Sequence, residues 1–323
     1  MMGSPYALPS GNVQIAFSGG RTSAFMLHQI LEANGDLPDR VEVTFQNTGR
    51  EMPQTLDFVQ ECGDRWGVRI VWLEYRPDAP FFEEVSHNSA SRNGEPFEAL
   101  IRKKKFLPNQ QARFCTTELK VRAAKRYLRS IGWDYWTNCL GIRADEPSRI
   151  KPEGVKFGDR WTAWQPLNHA KVGKHDVALF WRKQPFDLRL PNVNGATWLG
   201  NCDGCFLKSE ANVAALAREY SERHAWWEAQ EAWVAAMRPS LTRWQRLRRI
   251  VTAEPDLAAK LREAYGRPIR PSVIEMMVNS PRSAAQWSKR YSRRELRDFM
   301  ERQGDMALSM PGLLCQADDG ECM

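Results

Sequence analysis

The residues best placed to do chemistry stand near the start of the chain, in Ser18-Gly19-Gly20-Arg21-Thr22-Ser23. A short apolar run ending at Phe17 leads into the two glycines, and an amphipathic stretch from Ala24 to Leu31 follows them. That order reads as strand, tight turn, helix. Glycines leave no side chain between the backbone N–H groups and an anion. The helix N-terminus behind them adds unpaired donors and partial positive charge, and Ser23 adds a hydroxyl from the first turn. Such a turn suits phosphate groups. Its spacing is neither Gly-x4-Gly-Lys-Ser/Thr nor Gly-x-Gly-x-x-Gly.

A second set of candidates is soft. Cys202 and Cys205 lie two residues apart in a tight loop, and Cys115 follows Arg113. Thiolates in this arrangement suit a [4Fe–4S] cluster, a structural zinc or a redox dithiol. Cys139 is the fourth sulfur to consider, although its place at the end of an apolar run makes it first a small core residue. Lys120, Arg143 and Arg149 are cations suited to phosphate oxygens. Asn47 and Thr48, at the end of another apolar run, suit hydrogen bonds to an adenine or a ribose. The histidines do not group: His28 falls in the first helix, and His169 and His175 are poorly spaced for a metal.

The elements that must position these residues alternate. Val41 to Gln46 and Val68 to Leu73 read as strands, with a helix between them beginning at Pro53. Strand, helix, strand, helix, strand is the pattern of a parallel twisted sheet with helices on both faces, an α/β fold. Ligands in such sheets sit at the carboxyl ends of the strands, where Ser18–Ser23 and Asn47–Gly49 both fall. Residues 77–111 read as an irregular excursion, 118–130 as a helix, Tyr135 to Leu140 as a fourth strand and His175 to Lys183 as a short helix. From Ser209 onward the chain reads as helical, broken at prolines. The expected division is a nucleotide-binding domain at 1–208 and a helical, basic C-terminal domain at 209–323.

The chain has 323 residues, 42% of them hydrophobic, which supports a substantial core. No apolar run approaches a membrane span and no secretory leader is read at the start, so a cytoplasmic protein without membrane contact is expected. Seven cysteines then argue for reduced thiols or metal ligands. The formal net charge is +7. Residues 238–302 carry 16 Lys/Arg against 7 Asp/Glu, and these cations are interleaved with Trp244, Trp287 and Tyr291. Cations with aromatics suit nucleic-acid contact; core tryptophans on a charged helix are the plainer alternative.

Several of these motifs agree in order with one family. Ser18-Gly19-Gly20-x-x-Ser23 resembles the PP-loop of ATP pyrophosphatases and phosphoadenylylsulfate (PAPS) reductases, with Thr22 where that family has Asp. Asn47-Thr48-Gly49 resembles its second-strand motif. Arg113-x-Cys115 with Glu118-Leu119-Lys120 resembles its Arg-x-Cys…Lys element, and Gly141-Ile142-Arg143…Glu146…Arg149 its Gly-Ile/Leu-Arg…Glu…Arg element. Cys202-x-x-Cys205 falls where cluster-bearing members have paired cysteines.

The resemblance implies a nucleotide site made of Ser18, Gly19, Gly20, Arg21, Thr22, Ser23, Asn47, Thr48, Gly49, Gly141, Arg143 and Arg149, with Lys120 and Arg143 acting on the reacting phosphate. It implies ATP or PAPS with Mg²⁺, and a [4Fe–4S] cluster on Cys115, Cys202 and Cys205. The activity it implies is pyrophosphate-releasing cleavage of ATP for sulfur insertion into an acceptor, which the basic segment makes a nucleic acid, with sulfur from a donor such as a cysteine desulfurase. Reduction of PAPS or adenylylsulfate to sulfite, and a non-catalytic nucleotide- or cluster-sensing subunit, are the alternatives. Gly320-Glu321-Cys322-Met323 stops short of the reductases' C-terminal cysteine motif.

Overall fold

The computed structural model describes residues 4–110, 112–152, 154, 160–193, 196–237, 287 and 291–303. Of these, residues 4–100 and 114–212 form one compact unit. Residues 101–113 (apart from 111), 213–237, 287 and 291–303 belong to a second.

The first unit is built on a six-stranded sheet. Its strands are β1 (Val13–Ala16), β2 (Val41–Asn47), β3 (Ile70–Tyr75), β4 (Phe82–Val85), β5 (Trp136–Cys139) and β6 (Trp161–Trp164), in the order β4-β3-β2-β1-β5-β6. All neighbours run parallel except β3 and β4. Two features depart from the sequence expectation. The excursion at 77–111 contains the antiparallel edge strand β4 and a helix, α3 (Glu95–Lys104), and a fifth parallel strand, β6, follows β5. Neither short strand alternates or extends far enough to be distinguished from loop by pattern alone.

Helices cover both faces. On one side lie α1 (Arg21–Asn34) and α2 (Pro53–Trp66). Pro53 starts α2 where its missing N–H costs nothing, and Arg65 faces the carbonyl end. Phe45 of β2 stacks edge-to-face on Trp72 of β3, ring centroids 4.9 Å apart, and Thr55 and Val59 of α2 pack on this face. On the other side, Val71 and Leu73 of β3 pack with Tyr127 and Leu128 of α4 (Ala123–Ser130). The register Thr44↔Val71 and Phe45↔Trp72 is what sorts these residues onto opposite faces. Gln14 and Thr44 are buried on the α4 face but satisfied, since Gln14 donates to Thr44 Oγ1 at 2.9 Å and accepts from Trp136 Nε1 at 3.1 Å. A π-helical stretch, Thr116–Arg122, precedes α4 and carries Lys120. Further on come α5 (Pro166–His169), α6 (Lys174–Lys183) and the two-stranded β7 (Asn192–Val193) and β8 (Ala196–Thr197).

α7 (Glu210–Glu219) leads from the first unit into the second, where α8 (Ser221–Ala236) and α9 (Arg293–Gln303) follow. Trp287 is 2% exposed, with its ring 4.6 Å from that of Trp227 and its Nε1 donating to the Trp227 carbonyl. Arg293 is buried and stands over Trp227. Both residues pack in this core. Most of 238–302, including Arg243, Trp244, Arg246, Arg248 and Arg249, lies outside the described residues, as do Cys315 and Cys322. No described helix is long and apolar enough to cross a membrane.

Candidate functional site

The strand order creates the site. The chain runs from β1 outward through β2 to β3, then returns to place β5 on the other side of β1. A crevice opens where the order reverses, at the carboxyl ends of the strands. The turn after β1, Ser18 to Ser23, and the turn after β5, Gly141 to Arg143, meet there.

The first turn is tightly specified. Gly19 has φ +78°, and a Cβ on it would stand 2.8 Å from Thr55 Cγ2 and 3.0 Å from Val59 Cγ2. Only glycine meets both demands at low cost. Gly20 caps α1 with φ −96°. Ser23 Oγ accepts the Ser18 N–H at 3.2 Å, lies 2.9 Å from Ser18 Oγ and donates to the Gly20 carbonyl at 3.0 Å, closing the loop on itself. No acidic side chain occupies the first turn of α1, so its N–H groups and positive end face the crevice.

Arg143 crosses the crevice. Its side chain is 3% exposed, and its Nη1 donates to Thr22 Oγ1 at 3.2 Å. Its Nε donates to Asp145 Oδ1 at 2.8 Å. Burial alone would raise the Asp145 carboxyl, but the Lys174 N–H and the Arg143 guanidinium outweigh it and hold the group below its usual range. Arg149 donates to Glu146, whose carboxylate also accepts the Arg143 N–H at 3.1 Å. Thr22, where the related loops carry Asp, thus gives Arg143 a neutral partner, leaving its charge less neutralised than a carboxylate would.

Arg21 does not serve as expected. Its Nε and Nη2 pair with the two Asp187 oxygens at 2.7 and 2.8 Å, Nη1 donates to Thr197 Oγ1 at 2.9 Å, and Nη2 also meets the Leu188 and Leu190 carbonyls. The guanidinium staples α1 to the segment before β7, and what Arg21 can offer a ligand is its backbone N–H. Trp181 reinforces the same corner by donating to the Arg21 carbonyl at 2.9 Å.

Asn47 and Thr48 also turn inward. The Asn47 amide donates to Glu74 at 2.6 Å and to the Ser91 carbonyl at 2.8 Å, and its oxygen accepts the Gly49 N–H. Thr48 Oγ1 lies 2.9 Å from both Glu51 carboxylate oxygens. Gly49, at φ +77°, passes with its Cβ position 3.0 Å from the Gly94 backbone. These residues shape the loop after β2; their side chains are committed there rather than to a base or ribose.

The cysteines are placed by that same loop. Glu51 bridges to Cys202 in an antiparallel pair, and the buried Arg50 meets the fully buried Asp203 at 2.8 Å. Cys202 is buried with its Sγ 3.3 Å from Thr48 Oγ1, while Cys205 and Cys115 are half-buried. Cys139 is fully enclosed in the core beside Met26 Sδ, and burial pushes its thiol well up. Among the described residues no three His, Cys, Asp or Glu converge to hold a metal. Among the described residues Cys115, Cys202 and Cys205 thus form no ready-made ligand set for a [4Fe–4S] cluster. Asp145, Glu146 and Asp187 are each paired with an arginine.

A pocket extends from Gly19–Thr22 and Arg143 along α6 to β7 and β8. It brings together five of the expected residues and adds others that the sequence reading missed, among them Lys174, Asn192 and Asn201. Gly141 is buried at the turn after β5, Arg149 is held on the outer side by Glu146, and Lys120 stands half-buried on the π-helical stretch. No local sequence pattern marked Lys174, which stands at the start of α6.

Fold and site together define an α/β protein with a glycine loop and a pocket at a topological switch point. The chain belongs to the phosphoadenosine phosphosulfate reductase domain family of sulfur-related, nucleotide-binding enzymes, whose model matches residues 12–185. It is 31% identical over 214 residues to an uncharacterised nin region protein, ORF290, of Escherichia phage lambda, covering 64% of this chain and 69% of that one. Among solved structures it is similar to a PAPS reductase from Candida auris in a phosphate complex (15% identity, TM-score 0.38, 56% of this chain and 79% of that one). It is also similar to a U34-tRNA thiolase with its [4Fe–4S] cluster from Methanococcus maripaludis (14% identity, TM-score 0.32, 56% and 58%). The family match ends before Cys202, Cys205 and the part of the second unit that begins at residue 213.

Proposed function

We propose that the chain binds ATP in this pocket and cleaves it between the α and β phosphates. An acceptor oxygen attacks the α-phosphorus, the bridging P–O bond breaks, and pyrophosphate leaves with the electron pair. The acceptor then carries adenylate on a former poor leaving oxygen, and a sulfur nucleophile at the hydrosulfide level displaces AMP, its bond to carbon forming as the C–O bond breaks and AMP leaves with the electron pair. The observation that supports this most is the meeting of the open α1 terminus with the buried Arg143 at the switch point. Backbone N–H groups and a preorganised guanidinium stabilise charge developing on the phosphates without reorganisation. The protein's work is positioning and charge. The acceptor class we infer is a nucleic acid, from the cationic excess of 238–302 in the sequence.

The test is pyrophosphate release from ATP by the full chain. Arg143→Ala should lower it about 10²-fold or more, the scale for losing one preorganised donor. The family's own name favours a second reading, reduction of PAPS. Thioredoxin-dependent sulfite release from PAPS, with no pyrophosphate from ATP, would establish that reading in place of the first.

A further inference from the structure

The pocket's three cations differ in what they already hold. Arg21 is committed to Asp187, Thr197 and two carbonyls. Arg143 is shared between Asp145 and Thr22. Lys174 also lines the pocket, half-exposed at the first turn of α6, and its ammonium makes no hydrogen bond or ion pair with any described residue. Only its backbone is engaged: the Lys174 N–H donates to Asp145 Oδ2 at 2.8 Å.

That backbone contact sets the geometry. One Asp145 carboxylate holds Arg143 on its Oδ1 and the start of α6 on its Oδ2. The Gly173 N–H is likewise taken, by Asp176 at 2.8 Å. Two N–H groups at the α6 terminus are therefore taken by carboxylates, and the side chain of Lys174 extends from the same turn. Asp145 holds the backbone of Lys174 at the same crevice as the Arg143 guanidinium.

We propose that Lys174 reads the length of the ligand's phosphate chain: it binds phosphate beyond the one accepted by the glycine loop, making the pocket selective for adenine polyphosphates over the monophosphate. This rests on the nucleotide reading of the pocket given above. A single phosphate is served by the loop N–H groups and the α1 terminus. A longer chain carries charge past their reach, and a lysine ammonium is a compact partner for it. Asp145 acts here as a positioning residue.

The experiment measures ATP and AMP binding to the full chain by calorimetry, for the wild type, Lys174→Met and Lys174→Arg. ATP affinity should fall about tenfold or more in Lys174→Met, AMP affinity should stay within about twofold, and Lys174→Arg should recover most of the loss. Raising salt should weaken ATP binding less in Lys174→Met than in the wild type, because one screened contact is gone. Lys174→Met binding ATP as the wild type does, or losing ATP and AMP equally, overturns the role of Lys174 while leaving the pocket assignment standing. A wild type that binds neither nucleotide overturns the pocket assignment itself, and with it this inference.

Discussion

Gly19 and Gly20 are neighbours with opposite expected consequences. Replacing Gly19 by Ala forces a residue with a Cβ to φ +78°, which costs about 1–2 kcal/mol. The new methyl would stand 2.8 Å from Thr55 Cγ2, 3.0 Å from Val59 Cγ2 and 3.2 Å from Phe45 Cε2. All three belong to buried residues and cannot swing into solvent, so overpacking adds about 1–3 kcal/mol. The expected loss is therefore about 2–5 kcal/mol, seen as a clear fall in the melting temperature without ligand. Gly20 has φ −96°, open to any residue, and borders the pocket. Gly20→Val should melt close to the wild type yet lose the stabilisation by ATP, which is about 2.7 kcal/mol at a ligand concentration of 100 Kd. The assay is thermal melting of both variants with and without ATP. A Gly19→Ala protein as stable as the wild type would refute the loop conformation, and a Gly20→Val protein with an undiminished ATP shift would refute the position of the phosphates.

Other outcomes follow from buried polar groups and thiols. Arg50→Ala leaves Asp203 buried without its guanidinium and should cost about 3–5 kcal/mol in denaturant unfolding; a loss under 1 kcal/mol would contradict the buried pair. In the native protein Cys205, half-buried, should react with a maleimide while Cys139 stays unlabelled until unfolding, since burial raises its thiol. His224 is held neutral by burial and then by Arg293 and Arg297, its pKa lowered to about 3. Its folded value lies below the unfolded one, so the unfolded state binds the proton first and stability falls as pH drops from about 6.5 toward 3, by up to about 1.4 kcal/mol per pH unit. Glu231, raised by burial to about 7, acts with the opposite sign over about pH 4.5–7. His224→Gln keeps only the latter contribution, so acidification from pH 7 to 5 should destabilise it less than the wild type in urea titrations; equal losses would rule out this role for His224.

What the sequence by itself determined is local. The apolar run, the two glycines and the amphipathic stretch after them name β1, the turn and α1, because a turn at positive φ and a 3.6-residue period are properties of neighbouring residues. The same holds for β2, β3 and Pro53 at the head of α2. Arg143 was legible as a candidate phosphate ligand only through its motif. That it reaches Thr22, 121 residues away, follows from β5 lying beside β1, a matter of strand order that no local pattern encodes. Tertiary structure also decided against the local reading. Arg21 lies within the loop but answers to Asp187, 166 residues on, since a guanidinium at the edge of a core takes the carboxylate that folding brings to it. Asn47 was claimed in the same way by Glu74 and Ser91. Lys174, silent in the sequence, gained its place from Asp145, because pairing one carboxylate with two elements is possible only once the chain has folded.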